Sequence, residues 1–231
     1  MSTALRAILG TGPLLLDFDG PVCSVFAGYP APRVAADLVV QLRAAGVDVP
    51  KAVACEADPL EVLRWTGAIC GSEVTAVVED KLCTAELRAV ESAAPTPYGH
   101  EVVLAARSAG MSVAVVSNNS AEAVAAYLSA HGLADQIMSI VGRPYADPAR
   151  MKPNPEPILA AARLLGADPA ACVLVGDSLT DIQGARAAGV RVIGYANRPP
   201  KVAAFVGADA VITTMGDLAE ALSPLSASRP E

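Results

Sequence analysis

Three consecutive leucines, Leu14-Leu15-Leu16, run directly into Asp17-Phe18-Asp19-Gly20. An uninterrupted apolar run of this kind reads as a strand buried on both faces of a parallel sheet, with helices covering each side. Two carboxylates then fall where the strand runs out into a loop. Ligands of open α/β sheets bind at the carboxyl ends of strands, so catalytic acids would stand in that position. Taken alone, an Asp-x-Asp at a strand end reads equally well as a pair of solvated acids.

The chain beyond this stretch falls into two kinds of pattern. After Gly20-Pro21, residues 22–29 read as a short irregular or hairpin-like segment. Helical spacing then covers Arg33 to Ala45, ended by Gly46. A second helix is expected from Asp58 to Ala68, with Asp58 as cap and Pro59 in the first turn. A third is expected from about Ser72 to Ser92, with Leu82, Leu87 and Val90 as its buried stripe. Nothing between Pro30 and Ala94 resembles a buried parallel strand, so this block is expected to be an all-helical unit.

From Ala94-Pro95-Thr96-Pro97 onward, strand and helix alternate. Strands are expected at Met111–Ser117, Ile137–Val141, Cys172–Gly176, Val190–Tyr195 and Ala208–Ile212. Helices are expected at Gly99–Ser108, Ala121–Ala130, from the Pro-rich loop 144–157 through Leu165, and at Asp181–Ala188, Pro200–Val206 and Met215–Leu222. The tail from Ser223, rich in Ser and Pro, is expected to fray. Each helix can serve as a crossover, so the first strand and this series form one parallel sheet. The helical block is then an insertion after the first strand, emerging beside the acidic loop where it could act as a lid. The expected division is a core of residues 1–22 and 96–231 and a cap of residues 23–95.

Composition narrows the partners. With 53% apolar and 18% charged residues among 231, the chain can bury a real core, and with 4% aromatics that core is mostly Ala, Val and Leu. A net charge of −7 and no basic block argue against nucleic acid. No apolar run approaches the roughly eighteen residues of a membrane span, and the opening segment is a poor match to a signal peptide. Cys23, Cys55, Cys70, Cys83 and Cys172 are scattered without C-x-x-C spacing, which fits reduced thiols in a cytoplasmic protein. His100 and His131, the two histidines, are expected on the surface, and a His-rich zinc site is excluded.

Polar groups gather at the expected strand ends. The first strand supplies Asp17 and Asp19, the second Ser117, Asn118 and Asn119, and the strand ending at Gly176 supplies Asp177, Ser178 and, one turn on, Asp181. Lys152 lies in Met151-Lys152-Pro153-Asn154-Pro155. In a parallel sheet all of these share one edge. Three carboxylates without histidine or thiolate suit a hard, oxygen-seeking cation such as Mg²⁺. Lys152 can bind a phosphoryl oxygen or hold a carboxylate ionised. Ser117 and the amides after it, at a helix entrance, offer donors to an anion. Together these make a phosphoryl-transfer site.

The ordered set Asp17-Phe18-Asp19-Gly20, Ser117-Asn118, Lys152-Pro153 and Gly176-Asp177-Ser178-Leu179-Thr180-Asp181 resembles the four motifs of the haloacid dehalogenase superfamily. The likeness spans nearly the whole chain outside the helical block, which looks like the alpha-helical cap of the phosphoglycolate-phosphatase-like branch. The resemblance implies a Rossmann-like three-layer α/β core. It implies a Mg²⁺-dependent phosphatase acting on a small phosphorylated metabolite through an aspartyl-phosphate on Asp17. Asp19 would protonate the leaving oxygen and then activate water. Ser117, Asn118 and Lys152 would hold the phosphoryl group. Asp17, Asp177, Asp181 and the Asp19 carbonyl would surround the metal.

Other readings stay open. Asp19 favours phosphate over halide, because the dehalogenases of this group lack the second acid, but mutases of the phosphoglucomutase type share the core motifs. An idle relative that only binds a phosphometabolite is the non-enzyme alternative. Pro21 and Ser24 stand where many relatives carry Thr or Val and an Asp, which weakens any substrate analogy. Asp181 could simply serve the first turn of a helix begun by Ser178. Gly176-Asp177-Ser178 lacks the closing Gly and the later His of a serine hydrolase. Gly10-Thr11-Gly12 precedes its strand and is no dinucleotide loop. Arg64 and Trp65 lie on the expected lid, where Trp65 reads as a packing anchor.

Overall fold

The computed structural model describes residues 2–223. Helix α1 (Ser2–Leu9) leads into β1 (Leu14–Leu16), and the short strand β2 (Cys23–Ser24) follows. Four helices come next: α2 (Ala31–Ala44), the single turn α3 (Lys51–Ala54), α4 (Pro59–Ile69) and α5 (Ser72–Val90). After β3 (Ala94–Pro95) the alternation runs α6 (Gly99–Ser108), β4 (Val113–Val116), α7 (Ala121–Ala130), β5 (Ser139–Val141), α8 (Glu156–Leu164) and β6 (Val173–Gly176). It ends with α9 (Leu179–Ala188), β7 (Arg191–Tyr195), α10 (Pro199–Ala204), β8 (Ala210–Ile212) and α11 (Met215–Leu222).

Six strands form one parallel sheet in the order β5-β4-β1-β6-β7-β8. The leucine strand lies inside it, Leu14 pairing with Val113 on one side and Val173 on the other. Successive side chains of a strand point to opposite faces, and the leucines divide accordingly. Leu14 and Leu16 join Val113, Val115, Val173 and Val175 in a cluster with α1, α6, α7 and α11. Leu15 joins Ala114, Leu174 and Val192 in a second cluster with α8 and α9. The result is the three-layer α/β arrangement expected from the continuous apolar strands. Because β4 and β6 leave β1 in opposite directions, strand order reverses beside β1 and opens a crevice at the carboxyl edge.

The helices between β2 and β3 enclose a third apolar cluster, built from Val34, Leu38 and Leu42 of α2, Val62 and Leu63 of α4, and Val78 and Leu82 of α5. Trp65 packs against it from the rim. Asp58 caps α4 as expected, its Oδ1 accepting from the Leu60 amide at 2.8 Å, with Pro59 in the first turn. The excursion leaves and re-enters the sheet through one antiparallel contact, Cys23 opposite Pro95 and Ser24 opposite Ala94.

Several boundaries differ from the sequence expectation. Helix α1 was not foreseen, although Leu5 and Leu9, four residues apart, bury its inner face. β4 and β5 are shorter than expected, and residues 134–136 form a 3₁₀ turn ahead of β5. α8 starts at Glu156, inside the stretch read as loop, because Pro157 fits a first helical turn. On α5 the stripe includes Glu79 and Glu86, whereas Leu87 faces outward. Of the tail expected to fray from Ser223, Ser223 itself donates from its amide to the Ala219 carbonyl at 3.0 Å, and residues 224–231 lie outside the described residues. No described helix is long and apolar enough to cross a membrane.

Leu15 is fully buried in the middle strand. Leu15→Ala should therefore lower unfolding stability by about 2–5 kcal/mol, read from the urea midpoint at unchanged m-value.

Candidate active site

Asp17, Ser117 and Asp177 each stand one residue past the end of β1, β4 and β6, so the parallel sheet delivers all three to one edge. They line a cavity of about 660 Å³ together with Asp19, Asn118 and Lys152. Asp181, one turn into α9, is fully buried behind that wall. The residues of the four ordered motifs, Asp17, Asp19, Ser117, Asn118, Lys152, Asp177 and Asp181, thus meet at one place. The opposite wall is built by the helical insert, with Asp58, Glu61 and Arg64 facing in. Arg64 is already engaged, pairing with Glu61 at 3.2 Å and donating to the Lys152 carbonyl.

Lys152 is the hub. Its ammonium, 1% exposed, lies 2.8 Å from Asp17 Oδ1, 2.6 Å from Asp181 Oδ1 and 2.8 Å from the Val116 carbonyl oxygen. An ammonium has three protons, and these three acceptors use them all. Lys152 therefore acts first on the two carboxylates it touches. Those charges push its own pKa above the ordinary lysine value in spite of burial. Asp17 Oδ1 also accepts from the Phe18 amide at 2.7 Å, and Oδ2 has no hydrogen-bond partner among the described residues. Burial, with Asp181 and Asp177 nearby, raises the Asp17 pKa, and Lys152 offsets part of that rise.

Carboxylate oxygens of Asp17, Asp177 and Asp181 lie within 4.8 Å of one another. Two glycines make this possible. A Cβ on Gly20, whose φ is +110°, would come within 2.4 Å of the Asp177 carboxyl carbon, and one on Gly176 within 2.4 Å of Asp181. Asp181 closes a capping box with Ser178 through its Oδ2, so the helix-start reading and the site reading both hold for one side chain. Asp177 Oδ2 accepts from Lys201 at 2.6 Å and Asn197 at 2.9 Å, partners that the sequence did not reveal. Three crowded carboxylates thus share two ammonium partners, Lys152 and Lys201. That excess of hard oxygen donors fits a divalent cation of the Mg²⁺ type.

Asp19 turns away from this cluster, its Oδ1 accepting from the Val25 amide at 2.9 Å. Burial pushes its carboxyl up to about 6, helped by Asp177 and by Asp58 across the cavity, against the Val25 hydrogen bond. A carboxyl that still holds its proton in mildly acidic solution suits a proton donor.

Asn118 and Lys152 hold each other through the backbone, Asn118 Nδ2 donating to the Lys152 carbonyl at 3.1 Å and the Lys152 amide to Asn118 Oδ1 at 2.9 Å. Ser117 Oγ accepts from the Asn119 amide at 3.0 Å. Behind this loop lie Glu79, Glu86 and Arg143, buried charges that the sequence reading passed over. Their signal was two acids seven residues apart within the apolar stripe of α5. Of the histidines, His131 is exposed as expected and His100 is half-buried. His131 stacks on Tyr127 with ring centroids 3.9 Å apart, and His100 Nε2 lies 2.9 Å from the Tyr127 hydroxyl, so they form one aromatic cluster.

A family model described as haloacid dehalogenase-like hydrolase matches residues 14–189. The chain belongs to the haloacid dehalogenase-like hydrolases. It is 38% identical over 129 residues to a phosphoglycolate phosphatase of Cupriavidus necator, covering 54% of this chain and 55% of that protein. It is 27% identical over 177 residues to the bifunctional riboflavin kinase/FMN phosphatase of Arabidopsis thaliana, covering 70% and 45%. The chain spans about half the length of these curated relatives. Among solved structures it is similar in fold to CbbY from Rhodobacter sphaeroides in complex with phosphate, with a TM-score of 0.63, 22% identity and coverage of 90% and 95%. A predicted phosphatase from Clostridium acetobutylicum gives a TM-score of 0.68 at 16% identity, covering 90% and 96%. The α/β fold is thus shared with both of these structures.

The Asp19 shift has a measurable sign in this chain. Between the ordinary 3.8 and about 6 the folded state holds a proton that the unfolded chain releases. Stability from this carboxyl is full below that window and is lost as pH rises through it. In protein stripped of metal with EDTA, urea midpoints of wild type and Asp19→Asn measured from pH 4 to 7 should show wild type declining relative to the variant.

Proposed function

We propose that this chain is a Mg²⁺-dependent phosphatase that hydrolyses a small phosphomonoester through an aspartyl-phosphate on Asp17. The observation that carries the reading is the buried Lys152 ammonium between Asp17 and Asp181, at one cavity with Asp19 and Asp177. Lys152 opposes the protonation of Asp17 that burial favours. Asp17 Oδ2, free of hydrogen bonds among the described residues, is then the atom that attacks phosphorus.

As the P–O bond to the leaving group breaks, Asp19 gives its proton to the departing oxygen. The same carboxylate, now ionised, takes a proton from a water that attacks the phosphorus of the intermediate. That step returns Asp17 as a carboxylate and releases inorganic phosphate. Ser117 and Asn118 line the cavity where the phosphoryl oxygens would lie; the Asn118 backbone amide offers a donor there, and the Ser117 hydroxyl, which donates to Asn119 Oδ1, would turn from it to reach phosphate. Asp17, Asp177 and Asp181 would hold Mg²⁺, with the Asp19 carbonyl as a further ligand. The ion supplies charge neutralisation between nucleophile and substrate and at the developing transition state.

Residues 23–95 form the proposed cap and residues 1–22 with 96–231 the proposed core. The cap wall sets which leaving group fits, so a small phosphorylated metabolite is the proposed substrate class. Phosphoglycolate, after which the Cupriavidus necator relative is named, belongs in the first screen beside phosphorylated sugars, amino acids and nucleotides.

With p-nitrophenyl phosphate, Asp17→Asn should lower turnover by about a thousandfold or more while the circular dichroism spectrum stays native. Undiminished turnover would reject the assignment. Wild-type turnover should also vanish in EDTA and return with Mg²⁺. Interconversion of sugar phosphates without release of phosphate would instead identify a mutase.

A further inference from the structure

Helix α5 of the insert places Glu79 and Glu86 on its buried face, 1% and 0% exposed, against Arg143 from the segment after β5. Arg143 Nε donates to Glu79 Oε1 at 2.7 Å, and Nη1 and Nη2 donate to the two oxygens of Glu86 at 2.8 and 3.1 Å. Two buried carboxylates around one guanidinium are a poor device for stability alone. Each charge loses its water, and well-packed apolar side chains would do as well or better. Glu79 even leaves one buried oxygen, Oε2, without a hydrogen bond. The remaining bonds of Glu86 point to a different task.

Glu86 Oε1 accepts from Asn119 Nδ2 at 3.1 Å, and Oε2 accepts from the Ser120 amide at 2.9 Å. A carboxylate only accepts, so it fixes which way the Asn119 amide faces: the NH₂ toward Glu86 and Oδ1 toward Ser117. Ser117 Oγ donates to that Oδ1 at 3.1 Å and accepts from the Asn119 amide. Arg143, held by Glu86, donates through Nη1 to the Asn118 carbonyl at 2.7 Å and receives nothing back. Asn118 in turn grips the backbone of Lys152. A single insert carboxylate thus reaches the rotamer of Ser117 through Asn119 and the Asn118–Lys152 pair through Arg143.

We propose that Glu86 is a positioning residue, which through Asn119 fixes the Ser117 side chain and through Arg143 fixes the Asn118 backbone, so that the Asn118 amide faces the phosphoryl group. The proposal rests on the phosphatase reading and adds to it a residue from outside the four motifs. It also makes α5 part of the phosphate site's framework, because Glu86 joins that helix directly to Asn119 and Ser120.

The test is a double-mutant cycle on p-nitrophenyl phosphate with wild type, Glu86→Gln, Asn119→Ala and the double variant, with Glu79→Gln as control. Glu86→Gln and Asn119→Ala should each lower kcat about ten- to a hundredfold with KM changed less than about threefold. The double variant should be no slower than the slower single variant. Glu79→Gln, which also removes a charge from Arg143 but does not touch the loop, should stay within about twofold of wild-type kcat whatever its melting temperature. Independent, multiplying losses in the cycle, or a Glu79→Gln loss equal to that of Glu86→Gln, would overturn the proposal. Should Glu86→Gln fail to fold, Asn119→Ala alone decides, since wild-type kcat in that variant is also incompatible with it. If wild type hydrolyses nothing, the phosphatase reading falls separately, and calorimetric binding of inorganic phosphate to the same proteins takes over as readout. Equal affinity in wild type and Glu86→Gln, or no binding by wild type, would then overturn the positioning role.

Discussion

A lysine ammonium enclosed by protein has to find acceptors for all three of its protons, and Lys152 finds them on three separate pieces of chain: the end of β1, the end of β4 and the first turn of α9. That single requirement ties the carboxyl edge of the sheet together. Removing any acceptor would leave a buried charge under-compensated, which costs far more than the loss of a surface pair. The parallel sheet makes the meeting possible, because strands running the same way end at the same edge, and the reversal of strand order beside β1 leaves a crevice there.

Negative charge is the complementary constraint. Asp17, Asp177 and Asp181 crowd within a few ångströms, and burial, with these neighbouring charges adding to it, lifts the carboxyls of Asp17 and Asp19 above their usual range. The geometry tolerates this crowding only because Gly20 and Gly176 have no Cβ where Asp177 and Asp181 need room. Backbone space, one buried lysine and one surface-facing lysine on Asp177 therefore hold open a place that a divalent cation would complete.

Much of this was legible in the residues. The leucine run announced a doubly covered strand, Asp58-Pro59 a helix start, and the acids, serine and lysine at successive strand ends a shared edge. These signals are local: each depends on residues adjacent in the chain, read with a period of two or 3.6. What stayed hidden depends on distant pairing. Lys201 and Asn197 look like ordinary surface residues until β7 and α10 carry them to Asp177. Glu79 and Glu86 broke the apolar stripe of α5, but only the fold shows Arg143 opposite them. Leu87 was taken for core because leucine usually is, although the helix turns it to solvent. α1 was missed because its buried face consists of little more than Leu5 and Leu9.

The antiparallel contact of β2 with β3 places Ser24 beside Ala94, so everything between them begins and ends at one point on the sheet. To the sheet, that excursion is a closed loop, and the entropy of closing a loop grows only with the logarithm of its length, about 0.6 kcal/mol for each doubling. Residues could be gained or lost among α2, α3 and α4 with little thermodynamic effect on the strands that carry the carboxylates. The wall that the insert builds over the cavity is therefore free to diversify while the carboxylate edge of the sheet is held fixed.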